Sequence, residues 1–298
     1  MSIREKIPLF FLICLSRTPI GFNRLLGKLI GTIYWHSSKK VRHIAKVNLE
    51  LCFPEKNSAW HQRTGKSGLI NMAMTILEVP AFLTMSNDRI LSLCENIDIF
   101  DNAIADHDLG KGIIVATPHL GSWEISGLLY AVLRPITFLY RPPKMRSIDE
   151  FVQRCRMSTG ANLAATDASG VKKLVAALKN GTCIGVLPDQ EAIAGSGVFT
   201  PYFTTQAYTM TLLPKMAQRR NSPAYLFFLE RTGSKPDFRM HTLKLSDDIY
   251  SKDMTVACTA MNKAVEQLIR INPEQYNWAY KRFNETPGIQ ELYKQYQQ

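Results

Sequence analysis

The sequence has no closely spaced cysteine pair. Its six cysteines, Cys14, Cys52, Cys94, Cys155, Cys183 and Cys258, lie scattered through 298 residues with no CxxC among them. This pattern excludes a zinc-ribbon or disulfide scaffold and reads as reduced thiols of a cytosolic compartment. A Walker-type phosphate loop, an HExxH zinc motif and a GxSxG nucleophile elbow are also missing, which removes three common enzyme classes. Basic and aromatic residues do not interleave in the manner of an RNA-binding surface, so nucleic acid is not an expected partner. No repeat, low-complexity tract or linker divides the chain. Long apolar runs are missing too: the most continuous, "IPLFFLICL" at 7 to 15, stops at Ser16-Arg17-Thr18-Pro19. About 20 apolar residues are needed to cross a bilayer, and no small-residue cleavage site follows that would make the run a signal peptide.

What is present is a core-forming composition with an excess of cations. Hydrophobic residues make up 46% of the chain, enough to fill a sizeable core, and 36 Lys and Arg against 25 Asp and Glu leave a formal charge of +11. That charge favours an acidic partner, whether an anionic membrane, an acidic protein or an acidic substrate.

The segment "IGFNRLLGKLIGTIYW" (20 to 35) places Leu25, Leu26, Leu29, Ile30, Ile33 and Tyr34 on one side of a helix. Asn23, Arg24, Gly27, Lys28 and Thr32 take the other side,. Two readings are open: the apolar side lies on a membrane surface, or it packs on the protein's own core. The basic run Lys39, Lys40, Arg42, His43 and Lys46 that follows favours the membrane,. Residues 1–38 are therefore expected to form a membrane-associating segment and residues 39–298 a single domain.

Beyond this point the chain looks helical from about 60 to 95, broken at Pro80, and then the periodicity changes. "GIIVATPH" (112 to 119), "ITFLYRP" (136 to 142), "TCIGVLPDQ" (182 to 190) and "SPAYLFFLER" (222 to 231) read as buried strands. "GVKKLVAALKNG" (170 to 181) and the stripe from Ala257 to Leu268, stopped by Asn272-Pro273, read as helices,. Apolar strands alternating with helices predict an α/β fold: a single domain with a mostly parallel central sheet flanked by helices, plus the N-terminal helices.

Chemistry in such a sheet gathers at the carboxyl ends of its strands. His119 lies just beyond the strand at 112–118, Asp189 and Gln190 just beyond the strand at 182–188. Glu124, five residues after His119, falls about one turn into the following helix, from where it can reach back to an imidazole nitrogen. A histidine so held can act as general base on a hydroxyl. The competing reading is a buried turn histidine and a carboxylate placed by the helix dipole. Ser122 is a nucleophile or, more ordinarily, a helix cap. Arg141 and Arg156 are either surface charges or, at that sheet end, bidentate holders of an anionic head group.

"ATPHLGSWE" (116 to 124) resembles the H-x4-D/E motif of glycerolipid-type acyltransferases. "VNLELCFPE" (47 to 55), "LYRPP" (139 to 143), "LPDQE" (187 to 191), "GVFTPYF" (197 to 203) and "NPEQYNWAYKRFN" (272 to 284) are similar, in order, to blocks of one branch, the late acyltransferases of lipid A biosynthesis. The resemblance implies His119 as general base paired with Glu124, with Arg156 and Asp189 lining the same site. It implies an acyl carrier protein thioester as donor and no metal or organic cofactor. The acceptor it implies is a hydroxyl of a hydroxyacyl chain on a Kdo-bearing lipid A precursor, at the cytoplasmic face of the inner membrane. A lysophospholipid or other lipid acceptor is the alternative within that fold, and a non-catalytic basic lipid-binding protein the alternative outside it. Two departures stand out: "YFTTQA" lacks the family's glycine after its paired aromatics, so a differently shaped loop is expected near Thr204, and the N-terminal apolar run is shorter.

Overall fold

The computed structural model describes residues 3–140, 142–143 and 145–297. Arg141, expected to hold an anionic group, lies outside the described residues. The chain opens with helices α1 (Ile3–Ser16), α2 (Ile20–Ser37), α3 (Lys39–Cys52), α4 (Ser58–Phe82), α5 (Asn87–Leu91) and α6 (Asp101–Asp108). Strand and helix then alternate through β1 (Ile113–Ala116), α7 (Trp123–Leu133), β2 (Ile136–Tyr140), α8 (Arg146–Ser158), β3 (Ala161–Ala165), α9 (Ala168–Lys179) and β4 (Cys183–Val186). A hairpin of β5 (Gly197–Tyr202) and β6 (Thr205–Met210) follows, then α10 (Leu212–Arg220), β7 (Ala224–Arg231), β8 (Phe238–Lys244), α11 (Met254–Ile271) and α12 (Ile289–Lys294).

Six strands form one sheet in the order β3-β2-β4-β1-β7-β8. The first four pairings are parallel and only β7 with β8 is antiparallel, so the expected mostly parallel α/β sheet is present. The central strands β1 and β4 are buried at every residue, because helices cover both faces and leave no polar side. One core lies on each side of the sheet. Ile114, Ala116, Ile184 and Val186 point to the side of α9, α10 and α11, and Ile113, Val115, Cys183 and Ile136 point to the side of α7. Four strands escaped the sequence reading. β3 carries polar and small residues in "ANLAA", β8 has the mixed pattern "FRMHTLK", and the β5–β6 hairpin packs beside α11 rather than in the main sheet.

One expectation is revised and one open alternative is narrowed. Helix α4 is not broken at Pro80 but runs to Phe82, the proline sitting in its last turn. Helix α2 forms as the periodicity predicts, yet it lies the other way up from a core-packing amphipathic helix. Its buried positions are Asn23, Gly27, Gly31 and Trp35, while Phe22, Leu25, Leu29, Ile30, Ile33 and Tyr34 are exposed. The glycines allow this. A Cβ on Gly27 would stand 2.7 Å from the Met74 Cα and one on Gly31 2.8 Å from the Ile70 Cα, so α2 rests backbone to backbone on α4. Helix α1, packed on α4 and α8, adds exposed Ile7, Phe10 and Phe11. Among the described residues no helix is long and apolar enough to cross a membrane.

The turn near Thr204 holds a non-glycine residue at positive φ, Phe203 at +51°. Its backbone N–H donates to Glu266 Oε1 at 2.7 Å, and its ring packs on Phe53 with the Arg270 guanidinium over it. These contacts offset the cost of the left-handed conformation.

Candidate active site

Ala116 of β1 pairs with Val186 of β4. Three residues beyond each come His119 and Asp189, so two equal overhangs from neighbouring parallel strands bring the two side chains together across seventy residues of sequence. His119 Nδ1 lies 2.8 Å from Asp189 Oδ1, and the His119 backbone N–H donates to Asp189 Oδ2 at 2.8 Å. Asp189 is buried; His119 keeps 13% of its side chain exposed. An ionised carboxylate accepts hydrogen bonds only, so Nδ1 carries the proton and Nε2 of the neutral ring is left as the acceptor. The Gln190 amide nitrogen lies 3.2 Å from that Nε2, and the Trp123 ring backs the imidazole at 5.3 Å between centroids.

Burial alone would depress His119, but Asp189 and, more weakly, the charge of Glu124 raise its pKa above the ordinary histidine value. Burial would likewise raise Asp189, yet the His119 imidazole and backbone amide hold it below the usual carboxylate range. The pair thus favours an imidazolium once a proton arrives, which is what a general base in a buried site requires.

The geometry reassigns the partner of the ring. Glu124, which the spacing placed against an imidazole nitrogen, instead forms an ion pair with Arg156, and Asp189 orients the histidine. Glu124 comes from the first turn of α7 and Arg156 from the last turn of α8. The Arg156 guanidinium also covers the Tyr140 ring at 5.3 Å, and the Tyr140 hydroxyl donates to Asp149 at 2.7 Å. Ser122 occupies the N-cap position of α7 without a side-chain cap bond; it is fully buried and its hydroxyl donates to Glu78 at 3.3 Å.

The loop that carries His119 is held from several sides. The His119 carbonyl accepts from the Asn277 backbone, the Gly121 N–H donates to the Gln275 carbonyl, and the Ser122 N–H donates to the Leu229 carbonyl. Gly121 has φ +60°, and a Cβ there would stand 2.2 Å from the Leu229 oxygen, so only glycine fits,. Thr75 of α4 caps the Gly121 carbonyl at 2.9 Å. Behind the loop, fully buried Glu78 receives Arg231 at 2.6 Å and Arg24 at 2.5 Å, tying β7 and α2 to α4.

A cavity of about 1070 Å³ lies against Trp123 and Gln190, the residues that contact the His119 ring, just above the size usual for small-molecule sites, about 300–1,000 Å³. Gln190, Trp123, Glu124 and Arg156 line it, together with Tyr140, Phe138, Leu128, Val186 and Lys215. The site therefore unites His119, Glu124, Arg156, Asp189 and Gln190. Sequence reasoning missed Tyr140, Trp123 and Lys215 as its walls.

The pattern of known bacterial lipid A biosynthesis acyltransferases matches residues 5–285. The chain belongs to this family. It is similar to the lipid A biosynthesis lauroyltransferase of Escherichia coli K12, with 28% identity over 273 residues, 90% of this chain and 87% of that one. It is also similar to the palmitoleoyltransferase of the same organism, at 26% over 271 residues with the same coverage. With the myristoyltransferase it shares 23% over 297 residues, covering 94% and 87%. As a family member it is an acyltransferase, and the resemblance seen in the motif blocks holds across nearly the whole chain.

Proposed function

We propose that this enzyme transfers a fatty acyl chain from an acyl carrier protein thioester to a hydroxyl of a hydroxyacyl chain on a Kdo-bearing lipid A precursor. The observation that carries the reading is the His119–Asp189 pair, joined through Gln190 and Trp123 to the wall of a large, mainly apolar cavity in a chain of this family. His119 Nε2 takes the proton of the acceptor hydroxyl as its oxygen attacks the thioester carbonyl. The tetrahedral oxyanion then collapses, the carbon–sulfur bond breaks, and the thiolate leaves with the proton from the imidazolium. Asp189 fixes the ring and offsets its transient charge. Arg156, positioned by Glu124 and Tyr140, supplies a cation in the cavity wall for an anionic substrate group,.

The reading extends to location at the cytoplasmic face of the inner membrane. The apolar faces of α1 and α2 point away from the core, and α1 packs on α8, the helix that carries Arg156. A lipid acceptor held in the membrane surface then meets the cavity without leaving its apolar surroundings. Membranes from a strain lacking the corresponding gene, incubated with the protein and labelled acyl carrier protein, test the acceptor. Mass spectrometry is expected to find label on a Kdo-bearing lipid A species; label on a lysophospholipid alone would overturn the acceptor assignment.

A further inference from the structure

The cavity changes character with depth. Phe138 and Tyr140 are two residues apart on β2 and so share a face of the sheet. Phe138 lies one pleat repeat, roughly 7 Å, below Tyr140 along the strand. Tyr140 carries Arg156 on its ring at the strand's carboxyl end. Opposite, α7 descends from Glu124 in its first turn to Gly127 and Leu128 about one turn lower,. The upper level is therefore charged. The lower level, lined by Val115, Gly127, Leu128, Phe138 and Gly185, is apolar, and beneath it Ile136 is fully buried.

Two glycines make the place for the Phe138 ring. Gly185 is its register partner on β4, and a Cβ there would stand 2.2 Å from the ring; a Cβ on Gly127 would stand 2.8 Å from it. Below Gly185 the same Cβ would meet Ile136 Cδ1 at 3.3 Å. The ring fills the hollow left by both missing side chains, clamped between helix and strand, with its other surface on the cavity. A chain that enters from the charged level and runs down this face meets that ring before it meets Ile136.

We infer that Phe138 sets the length of the acyl chain this enzyme transfers, its ring forming the floor of the slot between α7 and the β2–β4 pair. This rests on the reading above, in which the cavity receives the acyl chain of the thioester donor. Each methylene that gains or loses its place in an apolar slot changes preference by about fourfold, so a shift of two carbons reads as a ratio change of roughly tenfold or more.

The test offers the full-length protein an equimolar mixture of saturated acyl carrier protein thioesters that differ by steps of two carbons, with the Kdo-bearing precursor as acceptor, and measures product ratios by mass spectrometry. A ratio formed in one tube does not depend on how much of the protein is folded. Phe138→Ala is expected to move the favoured chain to a longer one. Phe138→Leu moves it less in the same direction and carries the test if the alanine variant does not fold. Gly127→Ala, favourable in a helix interior, pushes the ring toward the cavity mouth and shifts the profile to shorter chains. Active Phe138 variants with the wild-type profile would overturn the inference while leaving the acyl transfer reading intact. A wild-type protein that transfers no chain from the mixture would overturn that reading, and this one with it.

Discussion

At the scale of single residues, the site rests on one carboxylate that bonds the same histidine twice, once at the ring and once at the backbone. Because Asp189 raises the pKa of His119, and the base works only when neutral, turnover is expected to rise as pH climbs through that raised value. Asp189→Asn removes the negative charge, so the acid limb of kcat/KM should move to lower pH while the plateau falls, the ring having lost its orienting acceptor. A pH–rate profile checks this, and an unmoved limb would argue against Asp189 as the electrostatic partner. The strand-end position of His119 was legible in sequence because the apolar run Ile113–Ala116 stops just before it. Its contact with Asp189 was not, since seventy residues separate the two and only the in-register pairing of β1 with β4 joins them. Glu124 looked like the nearer partner for want of Arg156, whose approach from α8 no local spacing reveals.

Among the elements, α2 shows why a hydrophobic pattern fixes a helix but not its orientation. The apolar stripe was correctly read as amphipathic; the packing face was decided by Gly27 and Gly31, whose lack of side chains lets α2 touch the α4 backbone. Substitutions should separate the two faces. Gly27→Val is expected to destabilise by about 1–3 kcal/mol through overpacking, whereas Leu29→Ala, at 57% exposure, should stay within about 0.5 kcal/mol. Urea denaturation of the two variants distinguishes this orientation from its reverse, in which the costs would exchange. The same helix is anchored by Arg24 to Glu78, which burial alone would raise but which Arg231 and Arg24 hold below the usual carboxylate range. A depressed folded value means the carboxylate stabilises above its unfolded pKa, and that contribution is lost as pH falls through the folded one. Glu78→Ala leaves the half-buried Arg231 and Arg24 guanidiniums without their shared anion, Arg24 keeping Asp237, and should cost about 3 kcal/mol, the lower end for breaking a buried pair, measured by the shift in denaturation midpoint. The segment 272–278 was noticed in sequence as a helix stop at Asn272-Pro273 and as a motif block. Its function in the fold is to bolt the His119 loop through Gln275 and Asn277.

Taken as a whole, the molecule combines a +11 formal charge with a one-sided apolar surface built by α1, α2 and Ile76 of α4. Both features favour an anionic bilayer, one through long-range attraction and the other through burial. Sedimentation with anionic vesicles should carry the protein down. Leu25→Glu with Ile33→Glu should release it without lowering its stability, whereas moderate salt alone should release only part; binding indifferent to the double substitution would remove the assigned face. The alternating strand-helix order, the mostly parallel sheet and the strand-end positions of His119 and Asp189 could be read from apolar runs and their punctuation. The edge strands and the hairpin could not, because their exposed faces carry polar residues that mask the pattern. The central claim is that His119, oriented by Asp189, removes the proton from the acceptor hydroxyl. Its most direct test compares kcat/KM of wild type and His119→Ala for acyl transfer from an acyl carrier protein thioester to a Kdo-bearing lipid A precursor. The account predicts a fall of at least about 10²- to 10⁴-fold in a variant with a native unfolding transition; transfer at near the wild-type rate would contradict it.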